Sequence, residues 1–150
     1  ASCPDAVTSG PRAGDALIDP VIEYANANNR TTTGIGVTVV GGEVARGRAL
    51  PQLAGRYIFG DWSRTFVGPP TGQLFAATPG GELWRMQKLL INRIDGVENP
   101  DPAQELNNRV LGFGRDPAGD VYVTTTLNVG PTGATGRVFK LVNPGAGGRR

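Results

Sequence analysis

Short apolar runs, separated by turns rich in glycine and proline, fill most of this chain. The runs are rich in β-branched and aromatic residues, a composition that is typical of β-strands. The pattern predicts strands at 36–46, 56–62, 73–78, 83–92, 109–115, 120–126 and 137–142. The segment 83–92 also has helical propensity, but the strand–turn–strand rhythm that precedes it favours a strand. The chain is therefore predicted to be all-β.

The residues between these runs predict the local geometry. The pair Gly41 and Gly42 interrupts the first strand, which indicates a β-bulge or a close approach of the backbone to another group, such as a cofactor. Residues Asp116–Gly119, with proline second and glycine last, fit a type I turn. Pro20 interrupts the run 17–24, so that run is predicted to be an edge strand or an extended connector. Residues 95–108 are predicted to form a polar loop.

The spacing of the strands separates them into a group of four and a group of three. Four-stranded sheets repeated around an axis are the blades of a β-propeller. The sequence thus predicts a partial β-propeller of about two blades, in which the last blade lacks its closing strand. That strand would come from a distant, N-terminal part of a longer chain, since an open edge would otherwise be exposed. A two-sheet sandwich, which needs no missing strand, is the alternative.

Composition and charge narrow the possible partners. Lysine and arginine total 15 and the acidic residues 13, so the net charge is only +2. The basic residues are scattered, whereas nucleic-acid binders usually carry a clustered basic stripe, so no nucleic-acid partner is expected. No apolar run approaches the ~20 residues that a membrane helix needs, and no membrane span is expected. The single cysteine, Cys3, excludes an internal disulfide.

Three phrases of the sequence carry a family resemblance. They are LIDPVIEY from residue 17, GVTVVGGEVARGRALPQLAGRYIFGDWSR from residue 36, and VLGFGRDPAGDVYVTTTLNVGPTGATGRVFKL from residue 110. In this order they cover most of residues 15–142, and the part Gly55–Trp62 is the most specific. The chain resembles the C-terminal part of proteins of the glucose/sorbosone dehydrogenase family.

This resemblance implies a fold and a function. Members of the family are six-bladed β-propellers that are usually exported, so a secreted or periplasmic location is expected. They hold pyrroloquinoline quinone (PQQ) and calcium at the top of the propeller and oxidise an aldose by hydride transfer. A histidine is the general base, and arginines bind the carboxylates of the quinone. A complete member is more than twice as long as this chain, which resembles its last two blades and the connector before them.

The composition, the strand pattern and the resemblance together predict a division of the chain and a set of partners. Residues 1–35 are expected to form an N-terminal loop and connector, residues 36–142 the propeller blades, and residues 143–150 a disordered tail. The expected partners are the remaining propeller blades or a second chain, with a sugar as the substrate of the complete protein.

Four residues are candidates for binding the cofactor. Arg109 matches the first arginine of an Arg-x-Arg pair in the family, but Leu111 stands at the second position and cannot clamp a carboxylate. Arg64 lies near the position of another basic residue of that site. Asp61 ends a strand at the expected propeller opening, and Gly42 would allow a backbone to approach the cofactor. Each also has a structural interpretation. In it, Arg109 and Arg64 are surface arginines, Asp61 caps the following turn, and Gly42 belongs to a bulge.

No catalytic residue and no metal ligand is assigned within this chain. It contains no histidine, so the family's general base is not here. The loop from Asp95 to Asp101 is rich in oxygen ligands but lacks the spacing of a calcium loop. The chain is therefore expected to be the C-terminal segment of a quinoprotein sugar dehydrogenase-like protein that is inactive alone. The alternative is a non-catalytic propeller-type module used for binding or as a structural element.

Overall fold

The computed structural model describes residues 5–28 and 33–143, so Cys3 and residues 144–150 of the predicted tail lie outside it. No α-helix occurs in these two ranges, which confirms the all-β prediction. Their helical segment, a 3-10 helix at Pro51–Leu53, is not long and apolar enough to cross a membrane. The strands are β1 (Val39–Val44), β2 (Tyr57–Asp61), β3 (Gln73–Thr78), β4 (Arg85–Leu89), β5 (Arg93–Ile94), β6 (Val97–Glu98), β7 (Arg109–Arg115), β8 (Val121–Thr126) and β9 (Arg137–Lys140).

The strands form a four-stranded sheet, a three-stranded sheet and a small hairpin. The order is β1-β2-β3-β4 in the first sheet and β7-β8-β9 in the second, and every neighbouring pair is antiparallel. The predicted groups of four and three strands are thus confirmed, and each of these strands lies within its predicted segment. β4 is a strand, as the rhythm of the sequence favoured.

The hairpin of β5 and β6 corrects one prediction, because residues 95–108 are not entirely loop. Ile94 pairs with Val97, and the two residues between them both have positive φ, 53° at Asp95 and 78° at Gly96. An Asp-Gly pair suits the tight two-residue turns that close hairpins. The signal was therefore present in the sequence.

Both faces of the first sheet are covered, by different parts of the chain. On one face, Ile58 and Leu74 belong to buried clusters that include Val121, Val110 and Val123 of the second sheet. On the other face, Phe59 and Phe75 pack under Ile22, Tyr24 and Ile35 of the connector. This explains why the first five residues of β3 are all buried.

Within residues 5–28 and 33–35, the connector forms no strand. The backbone of Trp84, just before β4, donates a hydrogen bond to the carbonyl of Val21 at 2.7 Å. Asn26 forms an isolated bridge with Gly36. Residues 17–24 were predicted to be an edge strand or an extended connector, and in the structure they form the extended connector.

A turn of the second sheet docks onto the loop that follows β1. Gly119 donates to the carbonyl of Asp116 at 2.9 Å, so the predicted turn is present, and the carbonyl of Gly119 accepts from Gly47 at 2.7 Å. The carboxylate of Asp120 accepts from the backbone of Ala49 at 3.0 Å and pairs with Lys140 at 2.6 Å. These bonds join the two sheets at one end.

The Asp120 contacts predict how stability depends on pH. The hydrogen bond from Lys140, and then that from the backbone of Ala49, lower the pKa of Asp120 below its usual value. The ionised Asp120 carboxylate therefore stabilises the folded state. This stabilisation is fully present above the unfolded pKa of about 3.9 and is lost as pH falls through the lower folded value. The Tm difference between wild type and Asp120→Asn should therefore shrink as pH falls below about 4.

Calorimetry from pH 7 downward measures this difference. Asp19→Asn, at an exposed position, is the matched control and should leave Tm near the wild-type value at neutral pH. A difference for Asp120→Asn that stays constant with pH would contradict the role given to this carboxylate.

Candidate functional site

Three of the four candidate residues lie at the end of the sheets where β2 ends and β7 begins. Asp61 ends β2, Arg64 follows it, and Arg109 begins β7. Backbone bonds hold these segments together, since Val110 donates to the carbonyl of Trp62 at 3.1 Å and Gly72 to that of Asn108 at 2.9 Å. We call this end of the sheets, with the loops 62–72 and 127–136, the loop face. Gly42 lies apart from it, farther along β1.

Asp61 is a fully buried carboxylate whose oxygens already accept several hydrogen bonds. The hydroxyl of Tyr24 donates at 2.8 Å, and the backbones of Val37, Thr38 and Ser63 donate at 3.0, 3.1 and 3.0 Å. Burial, helped by the hydrogen bond to Asp61, raises the pKa of the Tyr24 hydroxyl above its ordinary value. Asp61 therefore anchors the connector to the first sheet. The bond from Ser63 caps the following turn, as the structural interpretation expected.

Arg109 is buried rather than at the surface, with only 2% of its area exposed. One terminal nitrogen donates to the carbonyl of Leu127 and the other to that of Gly68, the latter at 2.8 Å. Its guanidinium lies 5.0 Å from the ring centroid of Trp62. The Nε atom is buried without a hydrogen-bond partner. Arg109 thus clamps two backbone carbonyls and ties both loops of the loop face to β7.

Arg64 belongs to an ion-pair network. It lies 3.3 Å from the carboxylate of Glu105, which also pairs with Lys88 of β4 at 2.8 Å. Glu105 is only 3% exposed. A buried carboxylate needs such partners, because an unpaired buried charge is costly. Arg64 therefore joins the loop face to the segment between the sheets.

Gly42 occupies a β-bulge. The register of β1 against β2 shifts between Val40 and Glu43. A Cβ atom on Gly42 would lie 1.7 Å from the carbonyl oxygen of Ile58, and its N–H donates to the hydroxyl of Tyr57 at 2.7 Å. The bulge interpretation of the double glycine is confirmed.

The first strand of the second sheet carries a bulge of its own. The register of β7 against β8 shifts between Val110 and Gly112, which leaves Leu111 as the extra residue with 54% of its area exposed. The position that lacks the expected arginine is thus the bulged position of β7. Sequence reasoning did not identify this bulge, and Gly112 was the only local sign of it.

These residues, as arranged, do not fit a quinone or calcium site. Arg109 is buried and both of its terminal nitrogens already donate to backbone carbonyls, so as arranged it cannot form with a quinone the paired bonds that an arginine gives a carboxylate. Arg64 pairs with Glu105, and the oxygens of Asp61 are occupied. Within residues 5–28 and 33–143, no group of three or more histidine, cysteine or acidic side chains could hold a metal ion.

Sequence reasoning missed two surface features. At the loop face, the ring of Phe66 lies 5.3 Å from that of Trp62, and Phe66, Val67, Leu127 and Val129 are exposed. A groove of about 420 Å³ also runs beside β9. Neither feature follows from local patterns, because each brings together segments that are far apart in the sequence.

Comparison with known proteins finds relatives of part of this chain. No protein-family profile matches the chain. It is similar to the Hedgehog-interacting proteins of mouse and human, with 26% identity over 106 residues, or 71% of this chain. The chain spans about 14% of the length of these relatives.

The Gly42 bulge gives a prediction for stability. Gly42→Ala places a methyl group against a backbone carbonyl that cannot move aside, so the variant should lose about 1–3 kcal/mol of unfolding free energy. Gly41→Ala is the matched control, because its Cβ would meet only the Tyr57 hydroxyl, at 3.8 Å. Urea denaturation measures both variants. Equal losses would show that Gly42 is not the constrained glycine.

The Arg109 clamp gives a second prediction. In Arg109→Lys, one ammonium group replaces two donors that bind different carbonyls, which should cost about 1.5–3 kcal/mol of stability. Arg115→Lys is the control, because Arg115 is partly exposed and lies 3.9 Å from Glu43, and it should change stability by no more than about 0.5 kcal/mol. An Arg109→Lys variant as stable as this control would contradict the clamp.

Proposed function

We propose that this chain is the C-terminal segment of an exported, six-bladed β-propeller that resembles the glucose/sorbosone dehydrogenases, and that it is inactive alone. In this proposal the first sheet is one complete blade, and the second sheet is the last blade without its closing strand. The chain supplies part of the propeller wall. The remaining blades, or a second chain, complete it.

The observation that carries this proposal is the way the two sheets are built and placed. Each sheet is a simple meander in which strands that follow one another in the chain are neighbours. The two first strands, β1 and β7, lie against each other, and both carry a bulge. Consecutive sheets whose first strands meet are the pattern of radially repeated blades. The alternative sandwich usually has Greek-key connections between its sheets.

The contacts of the candidate residues support a wall role. Asp61, Arg64 and Arg109 position the connector and the loops of the loop face, and their hydrogen bonds and ion pairs go to other groups of this chain. Sugar oxidation, with PQQ and calcium, would therefore rely on residues outside this chain. This agrees with the absence of histidine from it.

A second candidate function is a non-catalytic binding module. The similarity to Hedgehog-interacting proteins favours it, because the name of those relatives describes a protein interaction. The exposed apolar residues of the loop face, Phe66 and Val67 among them, would be available to a protein partner.

Dye reduction by the longer protein to which the chain belongs distinguishes the two functions. With PQQ and calcium added, the proposal expects reduction of the dye with at least one aldose of a broad panel, and none from this chain alone. The same protein without PQQ is the control. A folded longer protein that is inactive with every sugar would contradict the dehydrogenase proposal and favour the binding module.

A further inference from the structure

The two loops of the loop face each carry a pair of exposed apolar side chains. In loop 62–72, Phe66 is 58% exposed and Val67 is 83% exposed. In loop 127–136, Leu127 and Val129 are exposed as well. Exposed apolar residues that are scattered singly are ordinary on a protein surface, whereas a contiguous group of them marks an interaction site.

Arg109 joins the two apolar pairs into one surface. Its two terminal nitrogens donate to the carbonyls of Gly68 and Leu127, one in each loop. Because the guanidinium is planar and rigid, these two carbonyls are held side by side, and Val67, next to Gly68, is held near Leu127. The loops are therefore fixed against each other before any partner arrives.

The polar side chains of these loops bond to groups of the same loops. The hydroxyls of Ser63 and Thr71 share a hydrogen bond of 3.1 Å, and those of Thr126 and Thr135 share one of 2.9 Å. The side-chain amide of Asn128 donates to a carbonyl of its own loop. A polar group without such a bond is costly to remove from water. The loop face can therefore leave water at a small cost.

The charge of the two loops differs from that of the rest of the chain. Charged residues make up 19% of the whole sequence, but in residues 62–72 and 127–136 the only charged residue is Arg64. Its side chain is 55% exposed although it pairs with Glu105. Since a guanidinium carries five N–H donors, this pair leaves Arg64 able to bind a further anion. Apolar loops with a cation and without a carboxylate complement the negative surface of a phospholipid bilayer.

The same features favour a lipid surface over a protein partner. A specific protein interface contains about one hydrogen bond per 100–200 Å², and here the hydroxyl pairs of the loops already bond to each other. A lipid–water interface requires no such bonds. It accepts apolar side chains below the headgroups and the charged end of an arginine among them.

We propose that the loop face attaches to the surface of a phospholipid bilayer. The exposed apolar side chains of both loops enter the boundary between headgroups and acyl chains, and Arg64 binds a lipid phosphate. Trp62, whose ring lies 5.3 Å from that of Phe66, lies at the level of the headgroups, where tryptophan is enriched. The attachment is peripheral, and it goes beyond the proposed function because it requires no cofactor and no sugar.

Sedimentation with vesicles tests this attachment, both for the 150-residue chain and for the longer protein. The vesicles contain phosphatidylcholine and phosphatidylserine in the ratio three to one. Val67→Asp places a carboxylate in the apolar surface and should weaken binding by about tenfold or more. Val142→Asp is the matched control, because it adds the same charge at a residue that is 52% exposed and lies at the opposite end of the sheets. It should stay within about twofold of wild type.

Tryptophan fluorescence measures which part of the chain meets the lipid. The chain has two tryptophans, Trp62 at the loop face and Trp84 before β4. Lipids brominated in their acyl chains quench a tryptophan that reaches them. We expect strong quenching in Trp84→Phe, where only Trp62 fluoresces, and little quenching in Trp62→Phe. If either tryptophan variant fails to fold, the comparison of Val67→Asp with Val142→Asp decides, because both change exposed positions.

Three results would overturn the inference. They are the absence of vesicle binding by the chain or by the longer protein, an equal effect of Val67→Asp and Val142→Asp, and a bound chain whose Trp62 is not quenched. A protein ligand whose binding Val67→Asp weakens, together with no binding to vesicles, would assign the loop face to a protein partner instead. The assays contain no quinone and no sugar, so their result is independent of whether the longer protein is a dehydrogenase.

Discussion

Burial of the first sheet on both faces is the constraint on which the rest of the structure depends. A four-stranded sheet of this composition must cover two apolar faces, and the chain covers them with unlike elements. The second sheet lies over Ile58 and Leu74, and the connector lies over Phe59 and Phe75. Because a three-stranded sheet covers a four-stranded one, part of the first face remains open at the groove.

The polar residues of the loop face serve the same arrangement. Asp61 fixes the connector, and Arg109 fixes the loops 62–72 and 127–136 at the junction of the sheets. Buried charged groups are costly unless hydrogen bonds satisfy them, which explains why so many backbone groups converge on these two side chains. The same residue types that suggest a cofactor site in the sequence thus hold the loops in the structure.

The strand pattern was predictable from the sequence, whereas the roles of the candidate residues were only partly so. β-branched runs between turn residues identified the strands of both sheets, and the double glycine identified the bulge at Gly42, because both are local signals. The burial of Arg109 was not predictable, since its partners Gly68 and Leu127 lie 41 and 18 residues away. The hairpin at Asp95 and Gly96 was missed although its turn signal is local.

A structure of the complete protein at a resolution that shows β-strand register would test the central claim most directly. The account predicts a fourth strand, from outside residues 1–150, paired antiparallel with the outer edge of β9 and packed against the first sheet. A β9 edge left bare, or one covered by residues of this chain so that its two sheets close into a self-contained sandwich, would contradict it.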